Sequence, residues 1–183
     1  TAEIDEELEK RMALAQQAAQ QALQIDPENE DALYEYAFHL TDEEERYTTW
    51  TKAIEIQPLG TFSLYERGLL LMRQHKWEEA LDDLVRFIRT YKGHVEAQIA
   101  IAQIIDHYDQ MVEASPDDAS ARKLRAKALQ NMGRYEEAGL DWAYVIKLSP
   151  GDPKLYQARA GTFTAAYDHN KALTNLNKAI HID

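Results

Sequence analysis

Histidine and carboxylate side chains are the groups of this sequence best able to do chemistry, but their spacing argues against a catalytic site. None of the six histidines forms a His-x-x-x-His or His-Glu-x-x-His pair, which would bring two ligands onto one helical face. Asp106-His107 and Asp168-His169 are adjacent, so a helix points the two side chains of each pair apart. The chain also has no cysteine, no glycine-rich phosphate loop and no Gly-x-Ser-x-Gly turn. We therefore predict that the protein is not an enzyme and that it needs no metal and no cofactor.

The charge and hydropathy of the chain limit the classes of partner. The formal net charge is -12, from 32 acidic and 20 basic residues, which disfavours broad contact with nucleic-acid phosphates. No apolar run approaches the roughly 20 residues that span a bilayer, and nothing at the start of the given sequence resembles a signal segment. We therefore predict a cytoplasmic protein without nucleic-acid binding or membrane insertion. A bacterial periplasmic protein whose signal has been removed is the alternative.

A repeated phrase divides the sequence into similar segments. Residues 22–27, 53–58 and 145–150 each read as an apolar helix end followed by proline, and residues 179–183 repeat the phrase up to the last residue. Pro116 and Pro150 lie 34 residues apart, and Pro27 and Pro58 lie 31 apart. A period in the mid-thirties is typical of stacked supersecondary units.

Each period contains the pattern of two helices. Leu124 and Leu129 fall at helical spacing, Gly133 interrupts the pattern, and Ala138 and Trp142 resume it. Glycine suits such a turn because it adopts the left-handed conformation at little cost. Since no long stretch alternates with period two, we predict an all-α fold.

The residues at these positions resemble the tetratricopeptide repeat (TPR) family. Residues 133–138, which read Gly-Arg-Tyr-Glu-Glu-Ala, match the second half of such a repeat, as do residues 74–81 with Gly68 before them. The resemblance implies a single domain, 1–183, that forms a right-handed α-solenoid of antiparallel helix pairs. Its repeats would lie roughly at 1–27, 28–58, 61–92, 94–116 (truncated), 117–150 and 151–183.

Two segments depart from the regular repeat. The segment from residue 94 to 115 is about ten residues short, so the solenoid is expected to be irregular there. It reads either as one long helix or as a hairpin with a stunted second arm. Residues 3–25 contain no breaker and read as one long helix.

The resemblance also implies a concave groove, lined by the first helix of each repeat, that binds a protein or peptide. By register, the predicted binding residues are Tyr34, Phe62, Tyr65, Arg73, Lys123, Lys127, Asn131 and Lys154. The expected ligand carries apolar anchors and acidic residues. Alternatively, Phe38, Leu69 and Met72 are simply core residues and the lysines belong to a solvated face. Lys127 and Gly161 stand where the family's clamp for chaperone tails has asparagine, which argues against that function.

The function predicted from the sequence is a non-catalytic protein- or peptide-binding scaffold or adaptor. One alternative is a recognition module of a larger enzyme. Another is a self-associating domain that forms a homo-oligomer. Glu43-Glu44-Glu45 and other carboxylates of the acidic N-terminal part are expected at helix starts, where they favour the positive end of the helix dipole.

Overall fold

The structure is a computed structural model that describes residues 2–182, with side chains from residue 6 onward. Over this range the backbone forms ten α-helices and no strand, which confirms the all-α prediction. The helices are α1 (Ala2–Ile25), α2 (Glu30–Phe38), α3 (Glu43–Ile56), α4 (Phe62–Arg73), α5 (Trp77–Thr90), α6 (Val95–Ala114), α7 (Ala119–Asn131), α8 (Tyr135–Leu148), α9 (Pro153–Ala165) and α10 (His169–Ile182).

The helix starts are explained by capping residues in the connecting loops. Asn29, Asp42, Asp118 and Asp152 each accept a hydrogen bond from a backbone N–H of the helix that follows. Such a bond satisfies one of the donors that the first turn leaves free. Glu43–Glu45 occupy the first turn of α3, as predicted from the helix dipole.

The turn between the two helices of a repeat uses a left-handed residue. Gly133 has a φ of 76°, which confirms its predicted role between α7 and α8. His75, between α4 and α5, has a φ of 58°, and Tyr167, between α9 and α10, has a φ of 59°. The same turn is therefore built three times, twice without glycine.

The helices form two compact units, one extending to Ala97 and the other beginning at Gln98. Within the first unit, α1 to α5 pack against one another in sequence order; within the second, α7 to α10 do the same. The ambiguous segment near residues 94–115 is one long helix, α6, and the predicted long N-terminal helix is α1. The grouping of residues 1–183 into one domain stays a prediction, as do the repeat bounds and the handedness.

Small residues let the paired helices approach closely. Ala37, Ala80 and Ala138 are completely buried. A Cβ atom on Gly68 would lie 2.9 Å from Leu84 Cγ of α5, so only glycine fits between these helices. Burying apolar side chains at this spacing is the main stabilising contribution to such helix pairs.

Two buried ion pairs also join helices within the units. Arg67 of α4 donates from Nε and Nη2 to Asp83 of α5 at 2.7 and 2.8 Å. Arg125 of α7 donates in the same way to Asp141 of α8 at 2.7 and 2.6 Å. The carboxylates of Asp83 and Asp141 are only 4% and 3% exposed, so each aspartate depends on its bidentate arginine.

Candidate functional site

Three of the predicted binding residues meet in an aromatic cluster of the first unit. Tyr34 of α2 lies 6.2 Å from Phe62 of α4, measured between ring centroids. Phe62 and Tyr65 both pack on Phe87 of α5, at 5.2 and 5.4 Å, and Phe87 is completely buried. The buried Phe87 ring therefore positions Phe62 and Tyr65 of α4. Phe62 is 39% exposed, so a partner can reach it.

Beside the cluster lies a cleft of about 690 Å³. Its floor combines the aromatic residues with carboxylates from the start of α2, Glu30, Asp31 and Glu35. Glu30 is held in place because the hydroxyl groups of Thr61 and Ser63 donate hydrogen bonds to it. The residues that line the cleft are Asn29, Glu30, Asp31, Tyr34, Glu35, Gln57, Gly60, Thr61, Phe62 and Tyr91.

The electrostatics of this region are dominated by negative charge. Burial, followed by the charges of Glu66, Glu35 and Glu30, raises the pKa of Tyr34 to about 12. Burial also raises the pKa of Glu66, although nearby arginines, Arg73 first among them, act in the opposite direction. A cation brought close to these groups would therefore be stabilised.

Arg73, the fourth predicted residue of the first unit, does not belong to the aromatic cleft. It is the last residue of α4, and its Nε lies 3.8 Å from a carboxylate oxygen of Glu43. Phe38, which the sequence also allowed as a core residue, is 46% exposed and lies 6.3 Å from Tyr34. The apolar surface around Tyr34 is thus wider than the three predicted residues.

The remaining predicted residues lie in the second unit. Lys123, Lys127 and Asn131 follow one another at intervals of four along α7 and share a face of that helix. The Asn131 amide donates to the Lys127 carbonyl oxygen at 2.8 Å, which fixes its orientation at the helix end. Lys154 is an exposed residue in the first turn of α9. Their role in binding stays a prediction.

Sequence reasoning missed several residues of the first-unit site. Tyr91 stacks on Phe62 at 5.0 Å, and the His94 ring lies 4.8 Å from Tyr65. His94 also caps α6, because its Nδ1 accepts the N–H of Ala97 at 3.2 Å. Both residues lie in or near the loop after α5. The repeat pattern describes positions within helices, so it could not predict that loop residues contact α4.

Neither a metal-binding cluster nor a membrane-spanning helix occurs among the described residues. Between residues 2 and 182, no three or more His, Asp or Glu residues are grouped so that they could hold a metal ion. Within the same range, no helix has the length and apolar character needed to cross a bilayer.

Comparison with known proteins identifies the sequence pattern. The family model described as tetratricopeptide repeat matches residues 105–153. DnaJ homolog subfamily C member 3 of Homo sapiens is 28% identical over 131 residues, which cover 70% of this chain and 24% of that protein. The Bos taurus protein of the same name is 23% identical over 158 residues, covering 73% of this chain and 31% of that protein. This chain thus spans about a quarter to a third of the length of these curated relatives.

The chain is also similar to a solved structure. YrrB, described as a TPR protein with an unusual peptide-binding site, is 21% identical, with 92% of this chain and 94% of that chain covered and a TM-score of 0.45. The matched segment 105–153 contains the turn at Gly133 and the pair α7–α8 that the sequence pattern predicted. The family match over residues 105–153 and the all-α helix pairs support the resemblance of this chain to tetratricopeptide repeat proteins.

Proposed function

We propose that this chain is a non-catalytic scaffold or adaptor that binds a peptide segment of a partner protein in the aromatic cleft of its first unit. The observation that carries the proposal is the juxtaposition of exposed aromatic residues with a cleft of about 690 Å³. Phe62 and Phe38 are 39% and 46% exposed and both contact Tyr34, so the three rings form a contiguous apolar patch of the kind found at interaction sites. Aromatic anchors of this kind supply much of the free energy of binding at protein interfaces.

The charges of the cleft favour a ligand with a basic residue. Glu30, Asp31 and Glu35 line it, so the bound segment would carry an apolar side chain beside a lysine or arginine. A cation would gain from the carboxylates and from the faces of Tyr34 and Phe62. The acidic residues that the sequence predicted in a ligand would instead be bound by lysines of the second unit, Lys123, Lys127 and Lys154.

A selection from a random peptide library displayed on phage tests this proposal. The wild-type chain should enrich peptides with an aromatic or aliphatic residue next to lysine or arginine. Glu35→Lys should weaken the binding of these peptides at least tenfold, since it reverses a charge in the cleft. The matched control is Glu55→Lys, which makes the same charge change at an exposed position of α3 outside the cleft.

Equal binding to the wild type and to both variants would overturn the proposal for this cleft. Enrichment of acidic peptides that are lost from a Lys123→Glu, Lys127→Glu double variant would move the site to α7. Both results can be read only from folded proteins, so circular dichroism of each variant accompanies the binding measurement.

The comparisons also support a second candidate, in which these repeats are the recognition module of a larger protein. The relatives named DnaJ homolog subfamily C member 3 are three to four times longer than the segment that this chain matches. An immunoblot of the source cells with an antibody against the chain tests it. A band far above 21.0 kDa would support the module, and a band at that mass would exclude it.

A further inference from the structure

Three arginines occupy the same position in three repeats, in the first helix of each pair. Two of them, Arg67 and Arg125, are paired with an aspartate sixteen residues later in the second helix, as described above. Each of these arginines also uses its Nη1 for a side chain sixteen residues earlier. Arg67 donates to the hydroxyl of Thr51 at 2.9 Å, and Arg125 donates to the carboxylate of Asp109 at 2.8 Å.

The third arginine, Arg159 of α9, lacks both partners. The residue sixteen positions later is Asn175, and the residue sixteen positions earlier is Ala143. Asn175 is buried, and its amide donates to the Lys171 carbonyl oxygen at 2.8 Å. Ala143 ends at Cβ and has no polar group to offer. Among the described residues, Arg159 Nε is buried without a hydrogen-bond partner.

The end of the chain does not account for this difference. In the paired repeats, the partners come from the arginine's own helix pair and from the helix before it, and for Arg159 both of these are present. Arg159 therefore lacks these partners because asparagine and alanine occupy the two partner positions, and not because a neighbouring helix is absent.

Arg159 shares an aromatic ring with a lysine that has carboxylate partners. The Arg159 guanidinium lies over the ring of Phe163 at 5.4 Å, and Lys171 Nζ approaches the same ring at 5.0 Å. Lys171 is paired with Asp168 at 3.1 Å and with Glu136 at 3.4 Å. Two cations thus approach the Phe163 ring, and Asp168 and Glu136 are paired with the lysine.

The pKa values of the paired Arg125 and the unpaired Arg159 are shifted in opposite directions. Hydrogen bonding to Asp141, against the effect of burial, raises the pKa of Arg125. Burial lowers the pKa of Arg159, because only a weak interaction with Tyr156 opposes it. Arg159 is partly buried, and its Nε is desolvated without a hydrogen-bond partner among the described residues, which carries a free-energy penalty that a bound anion would relieve.

We propose that Arg159 is a binding site for a carboxylate of a partner, which takes the place beside Nη1 that Asp109 takes beside Arg125. Access is from the side of Ala143, which is partly exposed and offers no competing group. Arginine is well suited to this ligand because its planar donors match the two oxygens of a carboxylate. The site uses none of the cleft residues of the first unit, so it stands independently of the function proposed above.

Nuclear magnetic resonance of the arginine Nε–Hε groups tests this site, with sodium acetate as the probe and sodium chloride holding the ionic strength constant. The Arg159 resonance, assigned by its loss in Arg159→Lys, should shift and saturate as acetate is added. Arg67 and Arg125 are internal controls in the same sample and should not shift, since carboxylates of the chain already occupy them.

Ala143→Asp supplies a carboxylate at the position that Asp109 has relative to Arg125. It should abolish the acetate response of Arg159 and raise the melting temperature. If this variant does not fold, Asn175→Asp places a carboxylate at the position equivalent to Asp141 and should weaken the acetate response, because it neutralises the guanidinium. The proposal would be overturned by any of three results. These are the absence of a saturable shift at Arg159, an equal shift at all three arginines, and an unchanged acetate response in the folded aspartate variant.

Two neutral tetrapeptides identify the source of the carboxylate. One has a free C-terminus and no acidic side chain; the other has an amidated C-terminus and one central glutamate. A saturable Arg159 shift with only the first indicates a chain terminus, and a shift with only the second indicates a side chain. Failure of both peptides to shift Arg159 would contradict binding to a partner.

Discussion

Two glycines in helix interiors have opposite packing environments, and substituting them should have opposite effects. Nothing lies within 4 Å of a Cβ atom placed on Gly161, whereas one on Gly139 would lie 3.1 Å from the ring of Phe163. Gly161→Ala should therefore stabilise the protein by about 1 kcal/mol, the difference in helix propensity. Gly139→Ala should destabilise it, because the buried phenylalanine ring would have to move.

Urea denaturation of the two variants measures both effects. If Gly161→Ala were destabilising, a group absent from the structure would have to pack against α9 at this position. Gly161→Ala also tests whether the glycine admits a ligand, since loss of peptide binding at increased stability would place Gly161 in the binding face.

Glu66 should make the stability of the first unit depend on pH. Its pKa is raised in the folded protein above the ordinary 4.5, mainly by burial. Its contribution is therefore most favourable below the ordinary pKa and is lost as the pH rises through the raised value. Glu66→Gln should raise the melting temperature at pH 7 and have a smaller effect at pH 3.5.

The exposed Glu55→Gln is the control for this comparison and should show no such difference between the two pH values. If Glu66→Gln lowered the melting temperature at pH 7, attraction to Arg73 and its neighbours would outweigh burial.

At the level of the helix pair, the left-handed turn is a source of strain wherever it lacks glycine. Tyr167 has a φ of 59° and is 84% exposed, so its side chain contributes little packing that could offset the strained backbone. Tyr167→Gly should raise stability by up to about 1 kcal/mol. Gly133→Ala introduces a Cβ atom at the equivalent turn and should lower stability. Thermal melts that move both variants in the same direction would refute a backbone origin.

The buried ion pairs are expected to be the most sensitive contacts between helices. Asp141→Ala would leave Arg125 and Arg122 without their shared carboxylate, at a cost of about 3–5 kcal/mol. Asp109→Ala removes a carboxylate that is 43% exposed from the same arginine and should cost at most about 1 kcal/mol. Equal losses in urea denaturation would mean that the burial of Asp141 does not determine its importance.

Over the whole chain, the uneven charge distribution should control the rate of partner binding. Residues 1–97 contain 21 acidic and 10 basic residues, a net charge of -11, while residues 98–183 contain 11 and 10, a net charge of -1. A basic peptide selected against the first unit should therefore associate about tenfold more slowly in 0.5 M than in 0.02 M salt. The dissociation rate should change less, because the aromatic contacts are insensitive to salt. A salt-independent association rate, measured by stopped flow, would show that the carboxylates do not attract the ligand.

Local sequence patterns were sufficient to predict the repeat architecture. The period of the proline phrases, the glycine at the turn and the small residues at Gly68 and Ala138 reflect requirements within one helix pair, so they are visible in a linear sequence. The resemblance to the tetratricopeptide repeat family, applied by register, predicted that Tyr34, Phe62 and Tyr65 would line one groove. They left open whether residues 94–115 form one helix or two, because a helix and a short hairpin have the same apolar content.

Contacts between distant residues became visible only in the folded chain. Tyr91 and His94 join the aromatic cluster from a loop, and Glu30 reaches the cleft through the hydroxyl of Thr61, which lies 31 positions away. The Arg67–Asp83 and Arg125–Asp141 pairs were overlooked because ordinary charged residues on a helix point to solvent. In the folded chain, packing against a second helix buries these pairs. Because a missing partner is costly only where the group is removed from water, the unpaired Nε of Arg159 could be recognised only in the structure.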